Sequence, residues 1–373
     1  METVRLGTSL AFRDRIVGIE QCVPLLDGSC RRYVNLDNAA STPALLDVTD
    51  AVNRFMEWYS SVHRGAGFKS RISTQAYEDA RGIVGQFFGA DPREHVVIFG
   101  KNATEAINKL SFRLALEPDD VVLVSTLDHH SNDLPWRDKA HVVHIGIGEQ
   151  GELDEDHLIH LLEMHGRRIR LVAITGASNV TGHAPDIHRI AERVHAAGAQ
   201  ILVDCAQLAP HRPIDIRPLD DPEHIDYIAV SAHKMYAPFG TGALVGRRDT
   251  FERGVPEYCG GGTIEFVSVS EIGWAAPPDR DEAGSPNVVG AVAMAAAINT
   301  LRTTGMDEIA RHEAGLTAHT LRRMAQIPGL RVYGDRCPER AGNRLGVISF
   351  SVEGNDRRPQ RMLLRAPVPD PAT

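Results

Sequence analysis

The sequence predicts an α/β fold, with a large domain whose mainly parallel sheet is covered by helices and a smaller α+β domain after it. Three observations lead there. Short runs rich in Val and Ile alternate with longer stretches of helical period, the pattern of strands joined by crossover helices. The length, 373 residues, exceeds what one compact core usually takes. From Val288 onward the alternation gives way to two helices and then two short strands.

In chain order, strands are predicted at His95–Phe99, Val121–Ser125, Val142–Ile145, Arg170–Thr175, Gln200–Asp204 and Tyr227–Ser231. Helices are predicted between them at Thr104–Leu116, His130–Lys139, Asp154–His165 and Pro185–Ala197. The second region is read as helices from Val288 to Thr303 and from Met306 to Gln326, then strands Leu330–Tyr333 and Leu345–Val352. This divides the chain into an N-terminal segment (1–32), a large domain (33–287), a small α+β domain (288–353) and a tail (354–373). The tail holds four arginines and four prolines, a composition expected of a disordered end.

Composition narrows the function classes. Hydrophobic residues are 43% and charged residues 24%, ordinary for a globular chain. Lys+Arg is 40 against Asp+Glu 49, a net charge of -9 that speaks against nucleic acid as a general partner. Five scattered cysteines without a CxxC pair suggest neither a structural metal nor a disulfide framework, and point to the cytoplasm. Met1 to Leu10 lacks a signal-peptide pattern, and no apolar run is long enough for a membrane span. Only five of the basic residues are lysines: Lys69, Lys101, Lys109, Lys139 and Lys234. Arginine cannot act as an amine nucleophile, so any such chemistry falls to these five.

In an open α/β sheet, ligands sit at the carboxyl ends of the strands, so the residues there carry the search. Ser231-Ala-His233-Lys234 follows one strand and offers an amine able to attack a carbonyl. Lys69 reads as lying in a loop, Lys109 and Lys139 in helices, and Lys101 lacks the flanking Ser and His. Asp204 ends another strand, where it suits a metal, an ion pair or a protonated ring nitrogen. Thr104 is a helix cap or part of a phosphate cradle. Asp128-His129-His130 offers a metal site or an imidazole lying on a planar ring. Asn179 sits in a turn, or over a substrate oxygen. Together an amine, an acid, an imidazole, an amide and hydroxyls suit an aldehyde cofactor with a ring nitrogen and a phosphate, pyridoxal 5'-phosphate. A metal hydrolase built on Asp128, His129 and Asp204 is the competing chemistry.

These segments, in this order, resemble the fold-type I, PLP-dependent class V aminotransferase family, in its cysteine desulfurase and selenocysteine lyase-like branch. The matching stretches include Leu36-Asp-Asn-Ala-Ala-Ser41, Val62-His-Arg-Gly65, Ala103-Thr-Glu-Ala-Ile-Asn108, Asp128-His-His-Ser-Asn132, Ser178-Asn-Val180 and Val203-Asp-Cys-Ala-Gln207. Ser231-Ala-His-Lys234, Gly260-Gly-Gly262 and Glu282-Ala-Gly-Ser-Pro-Asn287 complete the series. The resemblance implies a Schiff base on Lys234, which then moves the Cα proton, with Asp204 on the ring nitrogen and His129 stacked on the ring. It implies Gln207 at the phenolic oxygen, Thr104, Ser231 and His233 at the phosphate, and Asn179 at the substrate carboxylate. Ser285 would reach the neighbouring subunit's phosphate, which implies a homodimer with shared sites. Asn38, His63 and Arg64 are candidates for lining the pocket of a small amino-acid substrate; no metal is expected. The family pattern places a nucleophilic cysteine on a loop beyond the second small-domain strand. No cysteine follows Cys337 here, so the small domain reads as shortened and persulfide chemistry is not expected of these residues. C–S lysis, transamination or epimerisation stays open, as does a non-catalytic homologue.

Overall fold

The computed structural model describes residues 12–63 and 65–353; the expected tail and Arg64 lie outside the described residues. A seven-stranded sheet organises the chain. Its strands are β1 (His95–Gly100), β2 (Val121–Ser125), β3 (His141–Ile145), β4 (Ile169–Thr175), β5 (Gln200–Asp204), β6 (Tyr227–Ser231) and β7 (Gly242–Arg247), in the spatial order β1-β7-β6-β5-β4-β2-β3. All pairs are parallel except those made by β7, which runs against both β1 and β6. Every residue of β2 and β6 is buried, as expected for strands covered on both faces. This is the α/β fold of type I.

The helices are α1 (Leu46–Met56), α2 (Phe68–Phe87), α3 (Ala103–Arg113), α4 (Glu155–His165), α5 (Ile187–Ala196), α6 (Val288–Thr304) and α7 (Met306–Met324). One face of the sheet is covered by α1, α2, α4, α5 and α6, the other by α3 with Trp136 and Phe251. Side-chain caps start four of the helices, with Asn287 accepting from Gly290 N–H at α6, and the cap of α3 is Asn102 rather than Thr104. Asn102 accepts from Glu105 N–H, Asp154 from His157 N–H and Asp186 from Arg189 N–H. A separate two-stranded sheet pairs Leu330–Val332 with Phe350–Val352.

Three expectations are corrected, and one strand absent from the sequence reading, β7, is added. The segment His130–Lys139 is not a helix but two short 3-10 turns, His130–Asn132 and Leu134–Trp136. Pro135 cannot donate a backbone bond, and Trp136 is wholly buried with its Nε1 bonded to Asn132 O. The strand expected over Leu345–Val352 is only Phe350–Val352, because Leu345 N–H is taken by the Gly182 carbonyl at 2.8 Å. Lys69 lies in the first turn of α2, its Nζ on Glu57 O, rather than in a loop. β7 lacks the bulky alternation of a strand because Gly242 must be small. A Cβ there would stand 2.4 Å from Val230 O and 2.6 Å from Asn102 Cα.

Candidate active site

The carboxyl ends of β1, β2, β4, β5 and β6 open into one cavity of about 380 Å³. It is lined by Thr104, His129, Asn179, Asp204, Gln207, Ser231, His233 and Lys234, eight residues singled out from sequence, together with Asn102, Ala103, Ser131 and Thr175. Asn38, His63 and Ser285 do not line it. Asn38 is exposed and accepts from Asn35; His63 faces Glu78 at 3.5 Å; Ser285 borders a separate cavity with Lys101, Thr241 and Tyr258.

Lys234 ends a short 3-10 turn that leaves β6. That turn is pinned from outside by Thr42, which sequence reasoning missed. Thr42 N–H and its hydroxyl both donate to His233 O, at 3.0 Å each, and its Oγ1 accepts from Tyr236 N–H at 2.8 Å. Tyr236 has φ 65°, a left-handed backbone that a bulky residue adopts only where its surroundings hold it. Burial pulls the Lys234 amine below its ordinary pKa, while the charge of Asp204 pulls the other way. An amine that loses its proton more readily is a better nucleophile.

Asp204 ends β5 and is buried, with one protein hydrogen bond, from Ala206 N–H at 3.0 Å. Burial raises its carboxyl; the Ala206 bond and Lys234 work against that. A buried carboxylate so sparsely bonded suits a cationic partner in the cavity. Gln207 gives one Nε2 hydrogen to Ala39 O at 2.8 Å and keeps the other.

An anion cradle forms beside them at the start of α3. Ala103 N–H donates to Ser231 Oγ at 2.8 Å, so the Ser231 hydrogen is free to donate. Asn102 Oδ1 occupies Glu105 N–H, while Thr104 N–H has no partner among the described residues. Free donors at a helix N-terminus favour an anion. His129 starts the turn after β2, with Ser131 N–H donating to its Nδ1 at 3.2 Å. Burial, then the charges of His130 and Lys234, hold its pKa low. His233 is lowered too, by burial and by Lys234.

The metal alternative loses its frame. Asp128 does not line the cavity, its Oδ1 accepts from Asn132 Nδ2 at 2.7 Å, and among the described residues Asp128, His129 and Asp204 form no group with metal-ligand spacing. Among the described residues one group has metal-ligand spacing, His195, His224 and Asp226, at the amino end of β6. Its two rings stack at 4.0 Å with 14° between planes, so both cannot direct an in-plane lone pair at one ion.

The donor set fits a planar aldehyde bearing a phosphate and a ring nitrogen. It pairs a depressed amine with a buried carboxylate and sets an anion cradle and an imidazole beside them. Such a fold and site are those of the fold-type I, pyridoxal phosphate-dependent class of enzymes. The sequence model described as aminotransferase class-V matches residues 34–366. A probable cysteine desulfurase of Streptomyces coelicolor is 34% identical over 351 residues, covering 90% of this chain and 81% of the relative. A cysteine desulfurase of Dickeya dadantii is 37% identical over 327 residues, covering 85% and 76%. The crystal structure of the Escherichia coli cysteine desulfurase CsdA is similar with a TM-score of 0.76 and 30% identity, covering 94% of this chain and 84% of that one. The chain belongs to the aminotransferase class-V family, in its cysteine desulfurase-like branch, whose enzymes depend on pyridoxal 5'-phosphate.

Proposed function

We propose that this chain acts on a small amino acid, cysteine foremost, with its cofactor held covalently on Lys234 Nζ. One observation carries the reading: Lys234, with its lowered pKa, shares a single cavity with the buried carboxylate of Asp204 and the cradle at Thr104 and Ser231. The cofactor, when bound, supplies a carbonyl carbon for the substrate amine and a ring that accepts the electron pair of the broken Cα bond.

The chain's own groups do the rest. Asp204 holds a proton at the ring nitrogen, since a carboxylate in a dry site favours a cationic neighbour. The free Gln207 Nε2 hydrogen would serve the phenolic oxygen, and His129 would pack on the ring. Ser231, with its hydrogen free, Thr104 through its N–H, and His233 hold the phosphate. Lys234 Nζ, once released by substrate, takes the proton from Cα and returns it, which its depressed pKa suits. Asn179 orients the substrate carboxylate at the cavity rim.

Cysteine is the first candidate because the relatives above are named for it. None of the five cysteines lines this cavity; Cys205 is buried behind Asp204, and burial and that carboxylate raise its thiol. The step these residues support is Cα deprotonation followed by loss of the β-sulfur with its electron pair as hydrosulfide; water then converts the remaining three-carbon fragment to pyruvate and ammonia. Ser285, outside the cavity of its own chain, faces the site of a second copy in a homodimer. The test is turnover of L-cysteine within a panel of small amino acids by the purified holoenzyme. Turnover lost in Lys234→Ala supports the reading; turnover retained in that variant, or absent from the wild type, overturns it.

A further inference from the structure

Ser131 belongs to none of the roles above, yet its side chain joins two of them. Its Oγ lies 2.8 Å from Thr104 Oγ1 and 2.9 Å from His129 Nδ1, and its own N–H donates to that same Nδ1 at 3.2 Å. A backbone N–H can only donate, so Nδ1 carries a lone pair and the neutral ring bears its proton on Nε2. The low pKa of His129, from burial first, agrees with a neutral ring.

A serine hydroxyl has one hydrogen, and here it has two acceptors to choose from. With no anion present, Thr104 O–H donates to Ser131 Oγ and Ser131 O–H donates to His129 Nδ1. An anion at the start of α3 changes the choice. A charge-assisted bond is roughly twice as strong as a neutral one, so Thr104 turns its hydrogen to the anion. Ser131 Oγ then loses its donor, the Thr104 oxygen becomes a second acceptor for Ser131 O–H, and the bond to Nδ1 weakens.

We propose that Ser131 is a positioning residue whose hydroxyl relays the presence of an anion at Thr104 to Nδ1 of His129. The relay rests on the function proposed above, because the anion it senses there is the cofactor phosphate. One serine would thus set the phosphate end and the ring-facing imidazole together. By reciprocity, whatever removes the relay also weakens the anion.

The experiment uses the cofactor-free full chain with 15N-labelled histidine, inorganic phosphate as probe, and His129→Gln to assign the resonances. In the wild type, Nε2 should carry the proton, and phosphate should move Nδ1 toward the shift of a less strongly bonded acceptor. In Ser131→Ala, Nδ1 should start at that shift and stay there, with phosphate bound about two- to tenfold more weakly, the value of one hydrogen bond. Ser131→Thr, which keeps the hydroxyl, should restore the response, an outcome that a merely structural role would not give. No phosphate binding, an Nδ1 resonance unmoved in the wild type, or an equal movement in Ser131→Ala overturns the relay. Borohydride reduction of the loaded wild type separates this from the parent reading. Lys234 left unlabelled removes that reading, whereas the apo-protein signals judge the relay alone.

Discussion

Glu282 opens the segment that carries Ser285, and its substitution should cost the protein about 3 kcal/mol. Its carboxylate is buried and meets four donors. Oε1 accepts from Phe99 N–H at 2.6 Å and Arg81 Nη1 at 2.8 Å; Oε2 accepts from the Tyr77 hydroxyl at 2.7 Å and Arg81 Nη2 at 3.1 Å. Burial tends to lower the Arg81 pKa, yet Glu282 more than offsets it, so Arg81 keeps its charge in the folded protein. Glu282→Gln keeps the shape but presents an NH2 where Oε2 stood. Tyr77 can turn to accept; Arg81 Nη2 cannot. Removing one partner of a buried ion pair costs about 3–5 kcal/mol, and the lower figure applies because Glu78, half exposed, still meets Arg81 Nε at 3.1 Å. The assay is urea unfolding followed by circular dichroism with an unchanged slope. The double variant Arg81→Met/Glu282→Gln should recover to within about 1.5 kcal/mol of the wild type, because neither charge then stands alone. A cost below about 1 kcal/mol for Glu282→Gln, or simple additivity in the double variant, would refute the reasoning.

Three further outcomes are expected. On the role proposed for Asp204 at the ring nitrogen, Asp204→Asn should lower turnover about a hundredfold or more while far-UV circular dichroism is unchanged. Gly242→Ala puts a Cβ against Val230 O and Asn102, and should cost about 1–3 kcal/mol and loosen phosphate at the cradle, read by thermal unfolding and phosphate titration. His195 is lowered by burial, but its bonds to Asp226 and Pro222 O outweigh that and raise its pKa above the usual value. A raised folded pKa makes its contribution full below about pH 6.5 and lost as pH climbs through the folded value. The urea midpoint of the wild type should therefore fall over that climb relative to His195→Gln, and parallel profiles would contradict it.

Much of the site was legible because parallel strands end abruptly in polar residues, and Asp204, Ser231 and Lys234 stand where hydrophobic runs stop. The order of these stops sufficed to place eight side chains at one cavity. Less visible were elements whose burial is not apolar. α2 buries Ser70 and Ser73, which bond Ser61 O and Trp58 O, so its inner face reads as polar. β7 is small-residue-rich because the turn at Asn102 presses on it. Ser131 and Thr42 were given no role because each bonds a partner remote in sequence, Thr104 in the first turn of α3 and the His233 carbonyl, which no local pattern records. The stretch after Leu345 reads as a strand but is tied instead to the Gly182 turn through Leu345 N–H and braced by Arg344. That buried guanidinium donates to the carbonyls of Asp335, Leu345 and Val347.

The central claim is that one lysine of five carries the cofactor. The direct measurement is borohydride reduction of the purified holoenzyme, followed by proteolysis and mass mapping of every lysine-containing peptide. A phosphopyridoxyl adduct is expected on Lys234 and on no other lysine. An adduct at Lys69, Lys101, Lys109 or Lys139 instead, or none at all, would contradict it.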